Sequence, residues 1–153
     1  MPALARRGLP ARPPSVDGFD ADVLVYAVVA GHPLGQRVRA LFLHAAERDE
    51  LAGVGSVLLI PELLSKPMRD HADQEVEALG ALLARLDLRP TDAHTARLAT
   101  ALAASYRLRA ADAIHLATAV NAGATRFLTN NSKDFQMSIS EIDVVYPADL
   151  PDV

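Results

Sequence analysis

With 153 residues, half of them hydrophobic and 22% charged, the chain has the size of one domain and enough apolar side chains to bury a core, which excludes global disorder. Cysteine is absent, excluding disulfides, thiol nucleophiles and cysteine-ligated zinc; no apolar run reaches the ~18 residues of a membrane span, and the few aromatics (four Phe, three Tyr, no Trp) argue against a nucleic-acid site of stacked rings. Fifteen basic residues against 19 acidic ones give a net charge of −4, whereas a protein that grips phosphates by electrostatics alone is ordinarily basic.

The first 14 residues, MPALARRGLPARPP, hold three arginines, no acid and four of the ten prolines. They read as a flexible basic tail ahead of one folded domain, residues 15–153. No apolar core follows the arginines, so the tail does not read as a secretion signal, and a cytoplasmic location without membrane contact is expected. Val16–Asp20 reads as a short strand. The apolar stretch Asp22–Ala30 either extends that strand or starts a helix, before Gly31 and Pro33 punctuate it. Pro33–Glu50 places Leu34, Val38, Leu41, Phe42 and Ala45 at helical spacing, with proline in the first turn.

Leu51–Ser56 is a short strand candidate. Ser56 is placed to cap a helix through VLLIPELLSK, which Pro61 would kink or restart. Asp73–Leu86 repeats apolar residues at 76, 79, 82, 83 and 86 and predicts an amphipathic helix. A brief strand at Asp87–Arg89 precedes a second amphipathic helix, Asp92–Tyr106, capped by Thr91 or Asp92. Ala110–Asn121 predicts a helix ended by Gly123, and the compact apolar runs Arg126–Thr129 and Ile142–Tyr146 predict buried strands. Strands alternating with helices predict a parallel sheet covered on both faces.

Acids stand in strongly apolar surroundings at four places: Asp20 and Asp22 in FDADVLVYA, Glu62 in LLIPELL, Asp112 in AADAIHLATAV, and Asp134 after the strand RFLT. Desolvating a carboxylate costs several kcal/mol, so acids are rarely buried without a partner. In a doubly wound sheet the C-terminal ends of the strands converge on one edge, where ligands bind, and Asp20 and Asp134 fall at or just after such ends. With Glu62 and Asp112 facing the same edge, the carboxylates would repel unless protonated or sharing a hard divalent cation such as Mg²⁺ or Mn²⁺. One or two such ions also suit in-line phosphoryl displacement, and they supply the positive field that an acidic chain lacks.

These segments resemble the PIN-domain family, and within it the toxin ribonucleases of VapC type, from about Val16 to Val145. DADVLVYA is similar to the family's opening Asp-x-Asn/Ser stretch, SVLLIPELL to its Glu-bearing helix, and ADAIHLATAVNAGATRFLTNNSKDF to its DAxHLATA helix and the Thr-containing loop after it. The resemblance implies a PIN-like three-layer α/β/α fold with a central parallel sheet of about five strands. It further implies a Mg²⁺- or Mn²⁺-dependent endoribonuclease that hydrolyses phosphodiester bonds with metal-activated water, paired with a cognate antitoxin and forming a homodimer. Carried over by position, Asp20, Glu62 and Asp112 match the metal-site acids and the catalytic residues. Family members read T-x-D or T-x-N-x-x-D-F in the last loop; Thr129, Asn131, Asp134 and Phe135 fit the second pattern, which makes Asp134 the fourth acid. Asn131 is then a neutral ligand or orienter, and Thr129 a candidate partner for an acid. Asp22 departs from the family pattern and adds a fifth carboxylate.

His115 reads as a packed or hydrogen-bonded helix histidine rather than a general base. Arg37, Arg39, Arg107 and Arg109 could meet RNA phosphates but read as solvated, outside the site. Two other functions are weighed. FDADVLV also looks like the Asp-x-Asp opening of haloacid-dehalogenase-type phosphatases, which need a neutralising lysine; this chain has only Lys66 and Lys133. A catalytically weak PIN domain that binds RNA or a protein is the other, kept open by Asn131 at a position that is often acidic.

Overall fold

Five short strands, β1 (Asp17–Phe19), β2 (Gly53–Ser56), β3 (Leu86–Arg89), β4 (Arg126–Leu128) and β5 (Asp143–Val145), form a single sheet in the order β3-β2-β1-β4-β5. Every neighbouring pair is parallel, with Phe19 opposite Leu128 and Gly18 opposite both Val54 and Phe127. Parallel neighbours need long crossovers, and helices supply them. α1 (Ala21–Ala27) and α2 (Pro33–Glu47) link β1 to β2, α3 (Leu59–Arg69) and α4 (Asp73–Leu83) link β2 to β3, and α5 (Ala93–Tyr106) and α6 (Ala110–Asn121) link β3 to β4. This is the three-layer α/β/α architecture expected of the chain. The computed structural model describes residues 16–153, so the basic tail read in residues 1–14 lies outside them.

Alternation along the central strands divides the core. Phe19 and Leu128 face one layer with Leu24, Val38, Phe42, Leu59 and Leu79, whereas Phe127 and Val144 face the other with Leu102, Leu116 and Phe135. Each such fully buried side chain contributes about 2 to 3 kcal/mol. On the second face α6 lies close against β1. A Cβ on Gly18 would stand 2.5 Å from the Cβ of Ala119, so only glycine at 18 lets helix and strand approach this far.

The open choice at Asp22–Ala30 resolves as helix. Asp20 keeps an extended backbone (φ −84°, ψ 161°) and its side chain accepts from the Ala21 N–H, so the strand ends at Phe19 and α1 starts at once. Ser56 does not cap α3 directly; its hydroxyl accepts from the Leu58 N–H, shaping the turn one residue before the helix starts. Pro61 falls at the third position of α3, where its missing N–H costs nothing, and it neither kinks nor restarts the helix. Leu86 belongs to β3 rather than to the preceding helix, which ends at Leu83. Of the two proposed caps of α5 it is Asp92 that accepts from the Thr95 N–H, at 2.8 Å.

At the N-terminal edge of the sheet, Asp17 is buried, and Arg126 meets it with two parallel hydrogen bonds of 2.7 and 2.9 Å from Nε and Nη2. The pair ties β1 to β4 where both begin. Arg126→Leu strands that carboxylate and is expected to lower the unfolding free energy by about 3 kcal/mol in urea denaturation, with much of the loss recovered in Asp17→Leu/Arg126→Leu. An unchanged midpoint in the single variant would show that the pair contributes nothing.

Candidate active site

From β1 the chain winds outward to β2 and β3, then returns to β4 on the other side of β1. The order reverses between β1 and β4, and a reversal of this kind leaves a crevice at the C-terminal ends of the two strands. Asp20 follows β1 there and Thr129 follows β4. The Asp20 N–H donates to the Leu128 carbonyl at 2.9 Å, holding the two ends together.

The Asp20 carboxylate is buried. One oxygen accepts from the Ala21 N–H at 2.9 Å, and the other from the hydroxyl of fully buried Thr129 at 2.8 Å. Burial nevertheless holds its pKa above the usual carboxylate value, against the lowering effect of those bonds. Asp22, on the first turn of α1, accepts from the Asn130 N–H at 3.0 Å through one oxygen, while its other oxygen is buried without a partner. Burial, then the charge of Asp20, push Asp22 up to about 6.

Asp112 stands in the first turn of α6, and burial followed by the charges of Asp20 and Asp134 raises its pKa. Among the described residues its side chain makes no hydrogen bond. Asp134 is held by Asn131, whose Nδ2 donates to it at 2.9 Å and whose Oδ1 accepts from the Asp134 N–H. The Asn131 N–H in turn donates to the Thr129 hydroxyl at 3.1 Å, so Thr129 links both ends of the loop to Asp20. Glu62 reaches in from α3 and accepts from buried His115 Nε2 at 3.0 Å. Burial disfavours charge on that ring, but the Glu62 bond and the fields of Glu62, Asp20 and Asp112 outweigh it and lift the His115 pKa.

The crevice thus brings Asp20, Asp22 and Asp112 within range of one another's charge, with Glu62 acting on Asp20 and Asp112 and Asp134 joining through Asp112. Among the described residues no Lys or Arg pairs with any of the five. No three of them close around one point tightly enough to enclose an ion unaided. The donors are nonetheless hard oxygens, one buried and unsatisfied and three with protonation favoured by burial first and neighbouring acids second, which is the chemistry a divalent cation fits. His115 was read from the sequence as a packed or bonded histidine, and its partner proves to be Glu62. The Asn130 N–H on Asp22 and the Asp17–Arg126 pair were missed, since neither backbone donors nor pairs across two strands leave a local pattern. Arg37 and Arg39 stay outside the crevice: Arg37 bonds the Ala148 and Leu150 carbonyls and Asp152, and Arg39 the Ala27 carbonyl.

The family model of the PIN domain matches residues 19–137. A solved toxin–antitoxin complex from Klebsiella pneumoniae is 26% identical with a TM-score of 0.64, the match covering 87% of this chain and 98% of that one. The DNA-bound VapBC of Salmonella typhimurium, 16% identical, superposes with a TM-score of 0.68 over 87% of this chain and 98% of its own. VapBC2 of Rickettsia felis bound to a promoter DNA fragment, 18% identical, gives 0.66 over 86% and 98%. No curated protein sequence matches significantly. The match leaves the phosphatase reading of FDADVLV without support. Strand-end acids, the Thr129 loop and the Asp112 helix all lie inside the matched span, and the chain belongs to the PIN-domain family.

Proposed function

We propose that the chain is a metal-dependent endoribonuclease, the VapC-type toxin of a toxin–antitoxin pair. The observation that carries this reading is the group of carboxylates at the β1/β4 crevice, with Asp20, Asp22 and Asp112 raised in pKa chiefly by burial and no Lys or Arg among the described residues paired with any member. Asp20, Glu62, Asp112 and Asp134 would hold Mg²⁺ or Mn²⁺, with Asp22 beside them and Asn131 as orienter. A bound ion of this kind activates water and neutralises the charge that develops in phosphodiester hydrolysis.

The chain's own part is to orient acids. Thr129 holds Asp20, the Asn130 N–H holds Asp22, His115 holds Glu62, and Asn131 holds Asp134. Asp112 keeps its oxygens open on a helix that packs tightly on β1, so the backbone alone places it. Cytoplasmic RNA is the proposed substrate. The toxin–antitoxin complex from Klebsiella supports an antitoxin as partner; homodimerisation follows from the resemblance in the motifs. The second reading, a non-catalytic PIN domain that binds RNA or protein, is favoured by the absence of any three ligands already closed around a point among the described residues.

An RNA-cleavage assay with Mg²⁺ and Mn²⁺ separates the two. The wild type is expected to cut, EDTA to abolish cutting, and Asp112→Asn to lose at least about 100-fold. Equal activity of wild type and Asp112→Asn sinks the mechanism, and no cutting by either leaves the binding module. Thr129→Val removes the hydroxyl from Asp20 at nearly constant shape and is expected to cost about 10- to 100-fold, with Thr129→Ser restoring most of it. Activity of Thr129→Val at the wild-type level would show that the hydroxyl does not position Asp20.

A further inference from the structure

A cleft of about 400 Å³ opens between the turn that joins α5 to α6 and the loop that follows β4, lined by Tyr106, Arg107, Lys133, Asp134, Gln136 and Ser138. Asp134 is the wall it shares with the acidic crevice, where the same residue acts on Asp112 through its charge. We propose that this cleft takes a phosphate of the RNA strand next to the bond being cut, with Arg107 and Lys133 as the residues that bind it. The proposal rests on the ribonuclease reading above.

The distribution of cations is the first support. Arg37 is engaged by the C-terminal segment, Arg39 by the end of α1 and Arg126 by Asp17. Arg107 and Lys133 are exposed and make no ion pair among the described residues; Arg85, Arg97 and Arg109 are unpaired there too, but only Arg107 and Lys133 line this cleft. Residues 1–15 contain no acid that could pair with them. The nearby acid Glu141 is engaged by the Tyr106 hydroxyl, at 2.6 and 3.0 Å from its two oxygens.

Backbone conformation is the second. Arg107 ends α5 with φ 56° and ψ 42°, in the left-handed region. Three non-glycine residues have positive φ among the described ones, and two of them, Asp49 and His71, are of types that visit this region readily. Arginine is not such a type, and glycine is the usual occupant at a helix end. A long cation kept where glycine fits more easily points to use of its side chain.

The loop itself is the third. Lys133 directly precedes Asp134, in a turn fixed by the Thr129 and Asn131 bonds and anchored by the fully buried Phe135. One rigid turn therefore sends an acid toward the crevice and a cation into the neighbouring cleft. A polyanion entering along the cleft meets positive charge before it reaches the acids.

The test is fluorescence anisotropy of a labelled single-stranded oligoribonucleotide with the full chain in EDTA, across a salt series, which reads binding without cleavage. Lys133→Gln and Arg107→Gly are each expected to lower the slope of log K against log[salt] by about 0.7, and the double variant by about twice that. Arg107→Gly should melt with the wild type, because glycine adopts the left-handed conformation freely. Arg48→Gln removes the same charge beside Asp17 and Arg126, at the opposite edge of the sheet, and should leave the slope unchanged. An unchanged slope in Lys133→Gln and the double variant overturns the subsite even where RNA is still cut, as does a wild type that binds no RNA at low salt. Binding lost in the variants, with a wild type that cuts nothing in Mg²⁺ or Mn²⁺, upholds the subsite and removes the nuclease reading instead.

Discussion

The carboxylate of Asp20 is the constraint on which the rest of the site is arranged. It is buried just past the C-terminal end of the central strand, held by one backbone N–H and one threonine hydroxyl, with other acids close by. Three residues earlier, at the start of β1, Asp17 presents the same desolvation problem and solves it with a bidentate arginine. The two ends of β1 thus treat a buried acid in opposite ways. At the N-terminal end the charge is neutralised within the fold; at the C-terminal end its hydrogen bonds come from neutral donors, and no Lys or Arg among the described residues pairs with it. A neutralised pair is structural. An acid whose charge is left unbalanced in a crevice is available to something that is not part of the chain.

The orienting partners come from different elements, and that gives the site its rigidity. Thr129 stands past β4, His115 lies inside α6, Asn130 and Asn131 lie in the loop after β4, and each holds a carboxylate carried by a different segment or by its own turn. Thr129 accepts from Asn131 while donating to Asp20, so the loop carrying Asp134 and the helix start carrying Asp20 and Asp22 are coupled through one hydroxyl. Side chains held in this way by neighbours that do no chemistry keep their geometry when a charged substrate arrives.

Much of this was legible in the order of residues. The period of apolar positions marked α2, α4, α5 and α6, and the compact apolar runs marked β4 and β5, because burial leaves a direct imprint on spacing. The acids Asp20, Glu62 and Asp112 stood out since carboxylates inside apolar runs are rare. The start of α1 was not decidable in advance: VLVYAVVA suits a strand or a helix, and the choice is made by the Asp20 side chain on the Ala21 N–H. The link between Glu62 and His115 spans 53 residues, and that between Asp17 and Arg126 spans 109, so no local pattern can report either. The distinction between working and spare arginines was equally hidden, since Arg37 and Arg107 look alike until their neighbours are known.

The contact between Gly18 and Ala119 has a meaning beyond close packing. Asp20 lies two residues beyond that glycine on β1, and Asp112 two turns before that alanine on α6. The glycine–alanine contact is therefore a spacer that sets how far apart the two carboxylates stand. The small residues of the HLATA stretch carry no reactive atoms, yet they fix the gap between reactive ones as a shim fixes the gap between two machined faces. A family signature that reads like chemistry is, over half its length, a specification of thickness.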